Sequence, residues 1–502
     1  MPTAAFTTLG CKVNQYETQR ILDDFETLGF TITDFTAPAD VYVINTCSVT
    51  QAAERKSRQM VRKVARQNPE AIVVMTGCYG EMAQIKNETV EEASLLVPNH
   101  QKLDTLNHVL RAYPHLKAEI EADGASNITQ TPRPFVRRTR ATIKVQDGCN
   151  VFCTFCSIPY TRKVMRSRPV AEVVAEAALR AREGYKEVVI TGVLVGAYGQ
   201  ESDFAVRSAR YAETGSTDDF NDALLTVTTQ AQHWAMDRQY ARPDLADLLL
   251  SLAQVEGIKR VRLSSIEPTQ VTDRLLDAFA SEPKLCRHLH IPLQSGDTGV
   301  LRRMNRPYDQ DFYLERCRAA YERIPDLAIT SDIMVGFPGE DRAAFESTLQ
   351  VARTVGYARA HLFRYSPRPN TPAESFTQIA EEEKETRSKE LAATCRETQQ
   401  RFIQRYLGRD MEVLVEGKEN SLEGKEHGLE GKGSGLLSGY TSNYIRVQFV
   451  GGSHLCGQVT PVRLLEPTGD GALGEAGGAH FGAQEAPPDA DFIPLATFAA
   501  SL

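Results

Sequence analysis

Long apolar stretches are absent from this sequence. The longest runs, such as Ala71–Met75, fall far short of the roughly 20 residues a membrane-spanning helix needs, so no membrane segment is expected. The start, Met1-Pro2-Thr3-Ala4-Ala5, lacks both a basic n-region and an apolar core. That argues against a secretion signal and for a cytoplasmic protein. Basic residues are outnumbered: 57 Lys and Arg face 65 Asp and Glu, a net charge of −8, so the overall charge does not advertise a polyanionic partner. With no export signal, ten cysteines argue for metal or redox chemistry before disulfides. A chain of 502 residues is too long for one ordinary domain and is expected to hold two to four.

The distribution of charge departs from its sum. From Arg133 to Arg168 the only acid is Asp147, while Arg137, Arg138, Arg140, Lys144, Arg162, Lys163 and Arg166 add to the basic run. The tail beyond Glu466 is the reverse, with acids and no Lys or Arg. The basic stretch brackets the densest cysteine cluster in the chain, Cys149-Asn150-Val151-Phe152-Cys153-Thr154-Phe155-Cys156. Charge alone fits a solvated surface; beside a reactive centre it fits a polyanionic substrate. Three thiolates on one loop can hold a soft metal centre, and an iron–sulfur cluster normally takes four, so three leave one iron open. A structural zinc site is the competing reading. It lacks a fourth ligand nearby, because the next His is His233. The C-x3-C-x2-C spacing resembles the radical S-adenosylmethionine (SAM) superfamily, where the open iron binds the amino and carboxylate groups of SAM.

Before this loop, apolar runs and amphipathic segments alternate. Strands are expected at 5–9, 30–35, 41–45 and 71–75, with helices over 15–28 and 51–67. That alternation implies a parallel, doubly wound sheet. Cys11, Cys47 and Cys78 each follow the carboxyl end of a strand, the edge where open α/β sheets bind ligands. A cysteine alone is more often a small buried hydrophobe. Three in one register favour a second metal site.

The segments Gly10-Cys11-Lys12-Val13-Asn14-Gln15-Tyr16-Glu17-Thr18, Asn45-Thr46-Cys47-Ser48-Val49-Thr50 and Thr76-Gly77-Cys78-Tyr79 resemble the first domain of the methylthiotransferase family. Those enzymes are radical SAM proteins with two [4Fe–4S] clusters. The Lys-Val-Asn-Gln-Tyr-Glu-Thr wording is similar to the branch acting on N6-threonylcarbamoyladenosine in tRNA. Sibling branches act on isopentenyladenosine in tRNA or on an aspartate of a ribosomal protein.

Six strand–helix repeats follow from 141 to 365, fewer than the eight of a closed barrel, so a partial (β/α)6 barrel is expected, with its chemistry at the carboxyl ends of the strands. By the resemblance, Thr191 and Gly192 would face the methionine part of SAM. Ser264, Glu267, Gln294, Ser295 and Gly336 would line the cofactor or substrate side. Arg162, Lys163, Arg166 and Arg168 would hold tRNA phosphates. His288 and His290 share one strand face and read as wall residues. Residues 200–241, with the only tryptophan, Trp234, form a polar insertion that the family usually lacks.

Residues 377–407 read as a charged helical spacer. Segments 411–416 and 444–449 alternate like strands of a small β-barrel, and 409–466 resembles the RNA-binding TRAM domain, interrupted by a Gly/Glu/Lys-rich insertion at 418–434. The expected organisation is a methylthiotransferase domain over 1–128, a radical SAM domain over 135–375, a spacer over 376–408, a TRAM-like domain over 409–466 and a disordered tail over 467–502. Cys286, Cys317, Cys395 and Cys456 read as structural thiols.

The resemblance implies this chemistry. The cluster on Cys149, Cys153 and Cys156 reduces bound SAM to methionine and a 5′-deoxyadenosyl radical, which attacks carbon 2 of the modified adenine. The cluster on Cys11, Cys47 and Cys78 handles the sulfur, which a second SAM methylates. The partners implied are tRNA and an electron donor such as flavodoxin or ferredoxin. A non-catalytic, metal-containing RNA-binding protein is the reading from another class.

Overall fold

The computed structural model describes residues 1–48, 51–122, 139–200, 243–418 and 434–477. The expected insertions at 200–241 and 418–434, but for residues 200, 418 and 434, and the chain beyond 477 fall outside those residues.

The first unit is a five-stranded parallel sheet of β1 (Thr3–Thr8), β2 (Thr31–Thr33), β3 (Val41–Thr46), β4 (Ile72–Gly77) and β5 (Leu95–Leu96), in the order β2-β1-β3-β4-β5. Its central strands are buried on both faces, which is why they read as unbroken apolar runs. Ala4, Phe6, Val43 and Val74 face one core with Phe25 of helix Lys12–Leu28. Ala5, Tyr42, Ile44 and Met75 face the other with Val61 and Val64 of helix Gln51–Gln67. Helices therefore cover both sides, as expected of a doubly wound sheet.

The second unit carries β6 (Arg140–Asp147), β7 (Arg166–Ser167), β8 (Glu187–Gly192), β9 (Arg260–Leu263), β10 (His288–His290), β11 (Ala328–Val335) and β12 (Arg359–Arg364). Strands β6, β8 and β9 run parallel, as do β10, β11 and β12. A parallel bridge between Ser265 and His290 joins the two sets. Among the described residues no pairing returns β12 to β6, so the barrel is partial, with six parallel strands. The short antiparallel β7 on the β6 edge was not expected from the sequence.

This barrel differs from a closed one in what fills it. The outward residues, including Ile143, Val145, Ile190, Val261, Leu263 and Leu289, enter the main hydrophobic core. Their period-2 neighbours are polar: Arg140, Thr142, Lys144 and Gln146 on β6, Arg260 and Arg262 on β9, His288 and His290 on β10, Thr330 and Asp332 on β11. Closed barrels pack that face with branched apolar side chains. Here much of that face pairs with the other two units: Lys144 with Glu17, Arg260 and Arg262 with carbonyls of the closed barrel.

The third unit is a closed barrel of β13 (Asp410–Lys418), β14 (Ser434–Thr441), β15 (Arg446–Gly452), β16 (Val459–Pro467) and β17 (Gly471–Ala476), in the order β13-β14-β15-β17-β16. Strand β17 corrects the expectation that everything after 466 lacks structure. It pairs parallel to β15 and antiparallel to β16, and without it the barrel would be open. Its Gly/Ala composition hid it, although a glycine suits a strand that another backbone approaches closely: a Cβ on Gly474 would stand 2.5 Å from Val462 Cγ1.

Helix Glu381–Gln404 is no free spacer. Leu391 and Cys395 enter the core of the partial barrel, while Phe402 and Ile403 enter that of the closed one. Its charged reading reflects the exposed face and two buried cations, Lys384 and Arg387.

Candidate metal and cofactor site

Cys11 caps helix Lys12–Leu28, Cys47 follows β3, and Cys78 opens helix Cys78–Ile85 directly after β4. Two glycines let these strand ends close on one another. Gly10 has φ +98°, and a Cβ there would stand 2.6 Å from Cys47 Sγ; Gly77 has φ +94°, and a Cβ there would stand 2.4 Å from Thr46 O. Neither position tolerates a side chain. Asn14 ties the ends together from the helix, donating 3.0 Å bonds to the carbonyls of Leu9 and Thr46. Asn45 answers from β3, donating to Asn14 O and Thr18 Oγ1 at 3.0 Å. The polar Asn-Gln-Tyr-Glu-Thr wording is thus largely internal stitching.

The Cys149–Cys156 loop sits at the carboxyl mouth of the partial barrel and is pinned by backbone. Asn305 donates to the carbonyls of Val151 and Phe152 at 3.1 and 2.9 Å; Thr154 N donates to Met304 O at 3.0 Å, and Ala373 N to Thr154 O at 2.9 Å. Phe152 adopts φ +51°, a conformation that the clamp holds. Burial pushes the Cys149 thiol well up, and the neighbouring Cys153 and Cys156 add to the rise. Burial also raises Cys153, to about 11, against the opposing pull of Arg306, whose Nη1 donates to Cys153 Sγ at 3.1 Å. Three thiols on one loop, Cys153 buried and Cys149 and Cys156 partly buried, are a donor set that a cationic centre would hold as thiolates. Among the described residues no three His, Cys, Asp or Glu side chains stand closely enough to share a single metal ion. One ion would draw its donors to about 2.3 Å, whereas a cluster spreads its thiolates over separate irons. The spacing and the donor chemistry fit a cluster on either trio.

The segments that carry the two cysteine sets touch. Ser157, next to Cys156, donates to the carbonyl of Ser48, next to Cys47, at 3.5 Å. Asn99 of the first unit donates to Thr161 O at 2.7 Å, just past the cysteine loop. Between them lies a buried ionic hub. Glu17, 1% exposed, takes Lys102 and Lys144 at 2.5 Å and Arg162 at 2.8–2.9 Å, and Asp147 takes Lys144 and Arg162 at 2.7 Å. Burial would raise the Glu17 carboxyl, but Arg162, Lys102 and Lys144 overturn that and hold it well below the usual range. Arg162 and Lys102 also sense Cys78, so the hub borders the first cysteine trio.

The expected RNA-binding residues divide accordingly. Arg162 is buried and committed to Glu17, Asp147 and Asn14, which corrects its assignment to tRNA phosphates. Arg168 bonds Glu176 at 2.7 Å and Tyr16 at 3.0 Å. Lys163 and Arg166 stay exposed.

The expected SAM residues divide too. Thr191 and Ser264 end neighbouring strands in register, and Ser264 Oγ is buried with no hydrogen-bond partner among the described residues. An orphaned hydroxyl at the mouth of the barrel suits a missing ligand. Gly192 lies beside Gln146, whose Cβ is 3.0 Å from the Cβ position. Glu267 is paired with Arg306. Gln294, at φ +62°, accepts at its carbonyl from Met334 N at 2.8 Å. Ser295 is fully buried and accepts from Asp297 N at 3.2 Å, a local structural bond. Gly336 gives its space to Lys384, whose Cγ lies 2.3 Å from the Cβ position, so the room expected there for a ligand is taken by protein.

Sequence reading missed Arg306, Lys102 and the hub role of Glu17. Arg306 links Cys153, Glu267 and Tyr308. Glu17 did carry a signal: it falls on the stripe of Val13 and Ile21, where an acid has no reason to sit unless a cation meets it.

Two family models match the chain: "Radical SAM superfamily" over residues 143–352 and "Uncharacterized protein family UPF0004" over residues 3–97. Fold, cysteine loop and matched segment together define a radical SAM protein. Relatives span its whole organisation. Threonylcarbamoyladenosine tRNA methylthiotransferase MtaB of Bacillus subtilis is 35% identical over 93% of this chain and 94% of its own length. The protein of the same name from Thermotoga maritima is 31% identical over 94% and 96%. The tRNA-2-methylthio-N(6)-dimethylallyladenosine synthase of Akkermansia muciniphila is 32% identical over 93% and 97%. The chain belongs to the radical SAM tRNA methylthiotransferase family.

Proposed function

We propose that the chain inserts a methylthio group at carbon 2 of N6-threonylcarbamoyladenosine beside the tRNA anticodon (position 37), using SAM and two [4Fe–4S] clusters. Cys149, Cys153 and Cys156 would hold one cluster, and Cys11, Cys47 and Cys78 the other. When bound, the first would supply the electron for reductive cleavage of SAM. The observation that supports this reading is the contact between Ser157, next to Cys156, and Ser48, next to Cys47, which joins the two cysteine-bearing segments at one interface. Arg306 orients Cys153 and Glu267 from the barrel wall. Thr191 and the orphaned hydroxyl of Ser264 are the polar groups we assign to SAM.

The remaining roles follow from exposure and from the fold. Lys163 and Arg166 are the cations we assign to tRNA phosphates, by Coulomb attraction to the backbone. The target base must leave its stack to enter the barrel, as RNA readers commonly require. The closed carboxyl-terminal barrel serves as a TRAM-like RNA-binding module. No helix among the described residues is long and apolar enough to cross a membrane, which agrees with work on cytoplasmic tRNA.

Mass spectrometry of tRNA nucleosides from a deletion strain tests the reading. Loss of the methylthio form of threonylcarbamoyladenosine supports it. Loss of the isopentenyl form instead, or unchanged tRNA, overturns it.

A further inference from the structure

A cavity of about 300 Å3 lies where all three units meet. The first unit contributes Lys12, the residue after Cys11. The partial barrel contributes Arg140 and Thr142 of β6, Val189 of β8 and the preceding Thr139. The closed barrel contributes Glu416 and Tyr444. This volume is at the small end for a ligand pocket, enough for a side chain of a nucleotide and too small for the whole.

The lining is unusual for a pocket of this size. Val189 is its only aliphatic member. Lys12, Arg140 and Glu416 are its charged members, and Arg140 is paired with Glu416. Lys12 lines the cavity together with Thr142 and Val189 of the barrel strands. The aromatic wall is held firmly. Tyr444 stacks on His288 with ring centroids 4.4 Å apart and on Tyr440 at 4.9 Å, and the Arg262 guanidinium lies over the Tyr444 ring, 5.1 Å from its centroid. Arg262 also donates to the carbonyls of Thr441 and Ser442 at 3.1 and 3.0 Å, so the loop carrying Tyr444 is fastened to the barrel.

An isopentenyl group is apolar and offers Lys12 and Arg140 no acceptor. A threonylcarbamoyl group carries a carboxylate and a hydroxyl. A carboxylate meeting a lysine and an arginine forms charge-assisted hydrogen bonds, the stronger kind. We infer that this three-unit cavity is the specificity pocket for the anionic N6 side chain of the substrate adenosine, with Lys12 and Arg140 as the carboxylate readers and Tyr444 as a wall against which the side chain packs. The inference rests on the substrate proposed above. It places selectivity in a residue beside Cys11, so the side chain is read at the edge of the first cysteine trio. It also makes the carboxyl-terminal barrel part of the substrate pocket rather than an RNA clamp alone.

The test uses anaerobically reconstituted full-length enzyme and two anticodon stem-loop RNAs, one with threonylcarbamoyl on the target adenosine and one without. Affinity for each is measured for the wild type and for Lys12→Met, Lys12→Arg and Arg140→Gln, with iron content alongside. Wild type should prefer the modified RNA. Lys12→Met and Arg140→Gln should reduce that preference about ten-fold, the scale of one lost charge-assisted bond. Lys12→Arg should restore most of it. Arg140 adjoins no cysteine in the sequence, so it decides the matter should Lys12→Met lose iron. A preference unchanged in Arg140→Gln and in an iron-replete Lys12→Met overturns the inference. So does a wild type that methylthiolates the modified tRNA yet binds both stem-loops equally. A wild type that makes no methylthio product on threonylcarbamoyl-bearing tRNA overturns the substrate reading itself.

Discussion

Glu17→Gln tests how the two cysteine sets are held together. In the hub two carboxylates, Glu17 and Asp147, face three cations, Lys102, Lys144 and Arg162. The substitution leaves one carboxylate against three. Glu17 and Lys102 belong to the first unit, Lys144 to β6, and Arg162 to the segment after the cysteine loop, so the perturbation falls on the joint. Every member but Asp147 is less than a tenth exposed, and water cannot replace the lost partner. Breaking a buried pair by removing one side costs about 3–5 kcal/mol. Lys102 would suffer most: burial and Arg162 already pull its pKa down, against the attraction of Glu17. The chain is multi-unit, so one unfolding midpoint would blur the effect; local hydrogen exchange does not. Amides of helix Lys12–Leu28 should exchange about a hundred-fold faster or more, the equivalent of the lower figure. Exchange within about three-fold of wild type would refute the hub as a joint.

Other outcomes follow from the same geometry. Glu17 sits well below its usual value, so its stabilisation is full above the unfolded carboxyl range, about pH 4.3, and is lost as pH falls through the depressed folded value. The wild-type advantage over Glu17→Gln in helix exchange should therefore be flat from neutral pH to about pH 5 and shrink below pH 4; a gap that widens on acidification would contradict this. Gly10→Ala should cut iron to about half, roughly four per chain, because its Cβ meets Cys47 Sγ at 2.6 Å; full iron would contradict it. Cys153→Ala should abolish SAM cleavage, read as deoxyadenosine formation, since two thiolates do not retain the cluster; continued formation would count against the assignment.

Much of this was legible because strands announce themselves by periodicity and cysteines by spacing. The six parallel strands and the doubly wound sheet were readable for that reason. The alternation Arg140-x-Thr142-x-Lys144-x-Gln146 even carries the polar interior, since every second residue of a strand shares a face. What stayed hidden depends on partners distant in sequence. Arg162 and Arg166 look alike in a basic run, and only packing against Glu17 separates a buried tie from an exposed cation. Arg306 lies 153 residues from the cysteine it bonds. Strand β17 was missed because glycine and alanine advertise looseness, while a closing strand needs only backbone.

The most direct measurement of the central claim is a nucleoside digest after turnover. Anaerobic holoenzyme, SAM, reductant and a sulfur source are incubated with tRNA bearing threonylcarbamoyladenosine, and separately with tRNA bearing isopentenyladenosine. The account requires the 2-methylthio nucleoside from the first and none from the second, accompanied by deoxyadenosine. Deoxyadenosine without any methylthio nucleoside, or methylthiolation of the isopentenyl tRNA alone, would contradict it.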